Sequence, residues 1–241
     1  MNKVYLYDSK YSSLIALIIE LIRNKIVPFN IKTKDNYEIN LLDETIYLDV
    51  DINNLTCFYK LPKMVIRDVY YLFLSDHKDK ELLIYEFIKN AFKYREKVYE
   101  YRNIDAVNET IKVARYVGSE AHKYKGFVRF KSVSGKFYYA EIEPNNNIIG
   151  ILVHHFKARL NEPWIIHDLK RKIYAFYDLK KVFYIRDDID LEIDTKDETY
   201  EDLWKTFFKT IAIKERKNPR CQMNFVPKRY WNHMLEMEDN A

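Results

Sequence analysis

The apolar pattern of this chain changes at Gly126. Before that residue, apolar side chains recur at helical spacing; after it they come in short β-prone runs. Leu14, Leu17, Ile18, Leu21 and Ile22 follow the i, i+3, i+4, i+7, i+8 rule of one buried helical face. Lys3 to Tyr7 is short and β-prone and ends at Asp8-Ser9, and Ser12 or Ser13 is placed to cap the helix that follows. Pro62 suits the first turn of a second helix running to about Leu74. Asp76 is positioned to cap a third, with Leu82, Leu83, Phe87, Ile88 and Ala91 inward, and Asp105 a fourth, with Val107, Ile111, Ala114, Val117 and Ala121 inward. Between the first two helices the type is not legible, except that Thr45 to Val50 alternates like a strand.

Beyond Gly126, Phe127 to Lys131 and Lys136 to Ile142 read as a hairpin joined through Ser134-Gly135. Pro144 and the run Asn145-Asn146-Asn147 stop it, and a late Asn of that run can cap a helix from Ile148 to Leu160. Trp164 to His167, Ile173 to Tyr177 and Val182 to Ile185 read as three further strands. Asp187 to Asp202 is acidic, a helix is predicted from about Tyr200 to Ile213, Lys214 to Arg229 is basic, and Pro227 starts a last helix ending near Met237. Helices, then clustered strands, then helices predict an α+β fold whose antiparallel sheet is packed by N-terminal and C-terminal helices. The expected parts are a mainly helical 1–122, a sheet-rich 123–190 and a helical 197–238.

Composition narrows the function classes. Apolar residues make up 48% of the 241 residues and charged ones 32%, which supports a folded core. The formal charge of +4 permits a nucleic-acid partner without requiring one. The two cysteines, Cys57 and Cys221, form no CxxC pair or Cys/His cluster, so a zinc finger or iron–sulfur cluster held by this chain alone is not expected. They read as reduced cytoplasmic thiols, although a disulfide between them is compatible with the sequence. The longest apolar run, Leu14 to Ile22, falls far short of the ~20 residues that cross a bilayer, and no signal-peptide layout occurs. With 4 glycines and no GxGxxG, Walker, GxSxG or HExxH motif, dinucleotide and P-loop chemistry are disfavoured and no cofactor is expected.

Four of the six histidines, His122, His154, His155 and His167, fall between Glu120 and Asp178. Histidine titrates nearest neutral pH, so this stretch is the first place to look for a site. Glu120, His122, His167 and Asp168 are the acid/base candidates. On a regular strand His167 and Asp168 point to opposite faces, so they do not pair with each other. The plainer alternative is that Asp168 caps the following turn and His167 is a hydrogen-bonded sheet residue. His155 and Arg159 are four apart and share a helix side, which with Arg129 offers an anion site. A solvent-facing pair is the alternative. The histidines lack a recognised metal-ligand spacing. Lys170, Arg171 and Lys172, and Arg216, Lys217 and Arg220 with aromatics nearby, are candidate phosphate contacts. A solvated basic surface is the alternative for these.

One resemblance covers nearly the whole chain. It rests on Tyr7-Asp8, Phe73-Leu74-Ser75, Glu120-Ala121-His122, Gly126 to Phe130, Tyr138-Tyr139-Ala140, Ile142-Glu143-Pro144, His155-Phe156, Arg159, Trp164 to Asp168, Arg171 and Tyr177-Asp178. Toward the end it continues through Trp204, Ile211 to Ile213, Glu215-Arg216, Asn218-Pro219, Gln222, Phe225 to Pro227 and Tyr230-Trp231. The sequence resembles the bacterial family of probable DNA metabolism proteins, a domain of unknown function. Ser9 stands where that family has glycine, and His154 where histidine is not expected. The resemblance implies a single family domain over 1–241 that accompanies a radical-SAM protein. Some members are fused to a uracil-DNA-glycosylase-type domain, which these residues are not expected to include. It therefore implies DNA repair or modification and DNA binding beside a radical-SAM partner. A nucleic-acid-processing enzyme using the acid/base candidates, and an adaptor without nucleic-acid contact, are the alternatives.

Overall fold

A computed structural model describes residues 2–38, 40, 42–48, 50–51, 55–133 and 137–186. The chain divides into two compact units, Met1–Gly118 and Ser119–Ala241.

The first unit is built on three parallel strands, β1 (Asn2–Tyr7), β2 (Asn30–Thr33) and β3 (Asp43–Tyr47), in the order β2-β1-β3. Helix α1 (Tyr11–Arg23) joins β1 to β2, because parallel neighbours need a crossover. Its residues Leu14 to Ile19 and Leu21 are buried, as the helical spacing requires. The predicted serine cap is not used; Lys10 stands at the N-cap and Ser13 is buried. The short α2 (Thr56–Tyr59) precedes α3 (Lys63–Leu74), which starts directly after Pro62 as expected. In α4 (Lys80–Tyr94) Asp79, not Asp76, occupies the N-cap. α4 packs against α1, α3 and β2. The N-terminal part therefore carries its own parallel sheet, where the sequence showed mainly helices.

Helix α5 (Asp105–Phe127) runs through Gly126, so the hairpin begins later than the alternation predicts. The second unit contains the strands β4 (Lys131–Val133), β5 (Phe137–Ile142), β6 (Trp164–Asp168), β7 (Ile173–Tyr177) and β8 (Val182–Arg186), in that order across one sheet. Helix α6 (Ile149–Lys157) lies between β5 and β6 in sequence. The fold class is α+β, and the sheet is mixed: β4–β5, β6–β7 and β7–β8 are antiparallel while β5–β6 is parallel. The expectation of an antiparallel sheet is corrected at that pair. The inserted helix makes β5-α6-β6 a crossover, which returns the chain in the same direction. Tight turns follow β6 and β7, holding Lys172 (φ 51°) and Leu179 (φ 74°) in the left-handed region.

Side-chain alternation then fixes two faces. Ala140, Ile142, Trp164, Ile166, Ile173, Ala175 and Tyr177 are buried on one. α6 covers that face: Phe156 meets Phe130, Phe130 meets Trp164, and Lys157 lies over the Tyr177 ring. Leu152, Val153 and Phe156 of α6 are buried there. The predicted helices and basic segment beyond residue 186 lie outside the described residues, as do the Ser134-Gly135 turn and the acidic run.

Candidate functional site

Two rows of side chains cross the sheet on the face opposite α6. The register aligns Tyr139, Ile165, Phe176 and Phe183 in one row, and Glu141, His167, Tyr174 and Ile185 in the next. On this face Tyr139 and Tyr174 are buried and Ile165, His167 and Phe176 half-buried, so exposure is concentrated on β8. Phe183 and Ile185 are 45% and 41% exposed, and the Phe176 and Phe183 rings stack at 6.3 Å between centroids.

At the centre of these rows stands a hydrogen-bonded relay. Tyr139 Oη donates to Glu141 Oε1 at 3.0 Å and lies 2.9 Å from His167 Nδ1. A phenol has a single proton. Because that proton goes to Glu141, the tyrosine oxygen accepts from His167, which places the imidazole proton on Nδ1. Nε2 therefore carries the lone pair. Burial, then the neighbouring Glu141, push the Tyr139 pKa far above its ordinary value, so the phenol keeps its proton. Tyr174 stacks on the imidazole with centroids 3.9 Å apart and planes 16° from parallel. Burial lowers the His167 pKa against the opposing pull of Glu141 and Asp168. The lowered pKa favours the neutral ring, and its neighbour sets the tautomer.

Asp168 points the other way, as the strand geometry predicts, and belongs to a second network. It is fully buried; Oδ1 accepts from the Arg171 backbone N–H at 3.1 Å and Oδ2 from Arg171 Nη1 at 3.1 Å. Burial raises its pKa, opposed by Arg171. The same guanidinium donates to the Pro144 carbonyl at 3.0 Å and to the Asn145 carbonyl. Glu120, 3% exposed on α5, holds the other side of that loop. Its carboxylate accepts from Asn145 N at 3.0 Å, Asn146 N at 2.9 Å and Asn146 Nδ2 at 2.7 Å. Asn146 donates twice to Glu120, and Ile148 stands at the N-cap of α6 without the predicted side-chain cap. Arg171 takes the carbonyls and Glu120 the amides, so the loop after β5 is clamped from both sides.

The sequence candidates thus separate. His167 joins the relay, and Glu120, Asp168 and Arg171 join the clamp. His122 is exposed near the end of α5. Arg129 Nη1 donates to the Gly126 carbonyl at 2.7 Å and closes the end of the helix. His155, on the α6 side, has a buried Nε2 with no hydrogen-bond partner. Burial, then Lys125 and Arg159, lower its pKa, which sets these three groups near one another. His154 and Arg159 are exposed. Lys170 and Lys172 are exposed beside β7, where the register puts Arg186 opposite Ile173. Arg216, Lys217 and Arg220 lie outside the described residues. Tyr139 and Glu141 were not site candidates in the sequence, where Tyr139 entered only in the Tyr138-Tyr139-Ala140 run of the resemblance. Their signal is two polar side chains two apart on a strand, and it acquires meaning only with the β5–β6 register. Among the described residues no group of three or more His, Cys, Asp or Glu side chains could hold a metal ion, and no helix is long and apolar enough to cross a membrane.

An α+β chain with an aromatic sheet face and a histidine relay is the class this geometry defines. Residues 78–236 match the model of a family described as a domain of unknown function (DUF4130), and the chain belongs to that family. No curated protein matches the chain, and no solved structure does.

Proposed function

We propose that this chain is a nucleic-acid-binding protein of DNA metabolism, and that the β7–β8 side of the five-strand sheet, on the face opposite α6, receives a single strand. The observation that carries the reading is the exposed Phe183 stacked with Phe176 beside the His167–Tyr174 pair on the face opposite α6. Flat rings at strand spacing offer stacking surfaces to successive unpaired bases, each contributing about 1–3 kcal/mol. Lys170 and Lys172 at one end of β7–β8, and Lys180 and Lys181 at the other, supply cations for the backbone. Arg216, Lys217 and Arg220 remain proposed contacts of the same strand. The cytoplasmic setting and the radical-SAM partner, which would carry the iron–sulfur chemistry, belong to this proposal through the resemblance.

The test is fluorescence anisotropy with labelled single- and double-stranded DNA over a salt series. Phe176→Ala/Phe183→Ala is expected to weaken single-strand binding at least tenfold with an unchanged salt slope. Lys170→Ala/Lys172→Ala is expected to flatten the slope by about 0.7 per lost contact. Unaltered affinity in a folded phenylalanine variant refutes the face as the binding surface.

A further inference from the structure

We infer that His167 is a general base on this face and that its substrate is a DNA strand carrying an abasic site, from which it removes the C2′ proton. The inference rests on the reading that the face receives a nucleic-acid strand, and it adds the reaction.

Three observations lead to it. First, the relay leaves Nε2 as the basic nitrogen, and no described residue hydrogen-bonds to it; the residue is half-buried. Second, the described groups around the ring set this tautomer, and burial favours the neutral ring against the pull of Glu141 and Asp168. Tyr139 holds Nδ1–H, Glu141 holds the Tyr139 proton, Tyr174 stacks on the ring, and Asp168 points to the other side of the strand. Third, the relay supplies a base but no acid. The Tyr139 proton is engaged by Glu141, and its pKa is driven upward by burial, so it is a poor donor to a leaving group.

That third point selects the chemistry. Cleaving an intact phosphodiester at phosphorus expels an alkoxide, which needs an acid or another source of stabilisation. An abasic deoxyribose offers a reaction that does not. In its open-chain form C1′ is an aldehyde, so the C2′ proton is acidic, and the group at C3′ is a phosphate that departs as an anion. Nε2 takes the C2′ proton. The C2′–H electron pair becomes the C2′=C3′ bond, the C3′–O bond breaks, and its pair leaves with the phosphate. The products are an unsaturated 3′ aldehyde and a 5′-phosphate end, with no change of overall oxidation state. The imidazolium returns its proton to solvent. Bases flanking the gap stack on Phe176 and Phe183, so the substrate is held by what it retains. The reaction that must precede this one is hydrolysis of an N-glycosidic bond, since that creates the aldehyde.

The experiment uses the full chain with two end-labelled single-stranded probes. One carries a true abasic site; the other carries its tetrahydrofuran analogue, which has no aldehyde and cannot eliminate. Wild type is expected to bind both and to cut only the first, about 10²–10⁴ times faster than buffer. The rate should rise with pH through the folded His167 pKa, which lies below the ordinary histidine value, and then level off. His167→Gln is expected to bind the analogue and return cutting to the buffer rate. Tyr139→Phe, a positioning variant, removes the Nδ1 acceptor; its plateau rate should fall and its acidic limb move to lower pH, a change that simple loss of folded protein does not produce. If wild type binds the analogue but cuts the abasic strand no faster than buffer, this inference fails and the binding reading stands. If neither probe binds, both fail. Cutting that survives His167→Gln, or a covalent adduct trapped by borohydride, assigns the reaction to an amine and overturns the role of His167.

Discussion

Replacing Glu120 by Ala removes the acceptor for three N–H groups of the loop after β5. Asn146 is fully buried, and its backbone and side-chain donors lose partners at 2.9 and 2.7 Å that water does not readily replace. Asn145 is half-buried, so its amide can regain solvent. Hydrogen bonds to a charged acceptor contribute about 1.5–3 kcal/mol each. Counting the two Asn146 bonds in full and the third in small part, the cost is about 3–5 kcal/mol. Glu120→Gln keeps one acceptor oxygen and should cost roughly half as much. The assay is amide hydrogen exchange read by mass spectrometry on peptides spanning residues 140–150, with urea unfolding followed by circular dichroism. A loss of protection below about 1 kcal/mol in the Ala variant would show that the loop is held by other means, and the clamp would lose its explanation.

Other consequences follow from the same contacts. Arg171→Ala and Glu120→Ala act on one loop, so a double-mutant cycle should show a coupling of at least about 0.5 kcal/mol; additivity would separate them. In the first unit Tyr99 donates to the buried Asp68 at 2.8 Å, so Tyr99→Phe should cost about 1 kcal/mol in urea unfolding, with Arg67 still paired to Asp68. His155 and His167 both have folded pKa values below the ordinary one. Their stability contribution is therefore present above the unfolded pKa of about 6.5 and is lost as pH falls through the folded values. Unfolding free energy between pH 7 and pH 5 should fall less steeply in His155→Gln/His167→Gln than in wild type, and an identical slope would contradict both directions.

Much of the fold was legible because it is local. The apolar face of α1 and the strands β6, β7 and β8 came from spacing alone, and so did the opposite directions of His167 and Asp168. Two features were not. The parallel sheet of the first unit contains β2, only four residues long, and its pairing with β1 is a contact between distant segments. The parallel β5–β6 pair had a signal in strand–helix–strand order, but the hairpin at β4–β5 favoured reading the whole sheet as antiparallel. The candidate site divides in the same way. His167 stood out as a residue type, whereas Tyr139 and Glu141 gain their role from a register that no local pattern encodes. Glu120 and Asp168 looked like acid/base groups because a buried carboxylate and an exposed one are the same letter in a sequence.

The claim that the sheet face opposite α6 holds nucleic acid is tested most directly by photo-crosslinking. A single-stranded DNA containing 5-iododeoxyuridine is irradiated with the full chain, digested and mapped by mass spectrometry. The account predicts adducts on Phe176 or Phe183 that disappear under excess unlabelled strand. Adducts confined to residues of α6 or the α6-side surface, with none on β7 or β8, would contradict it.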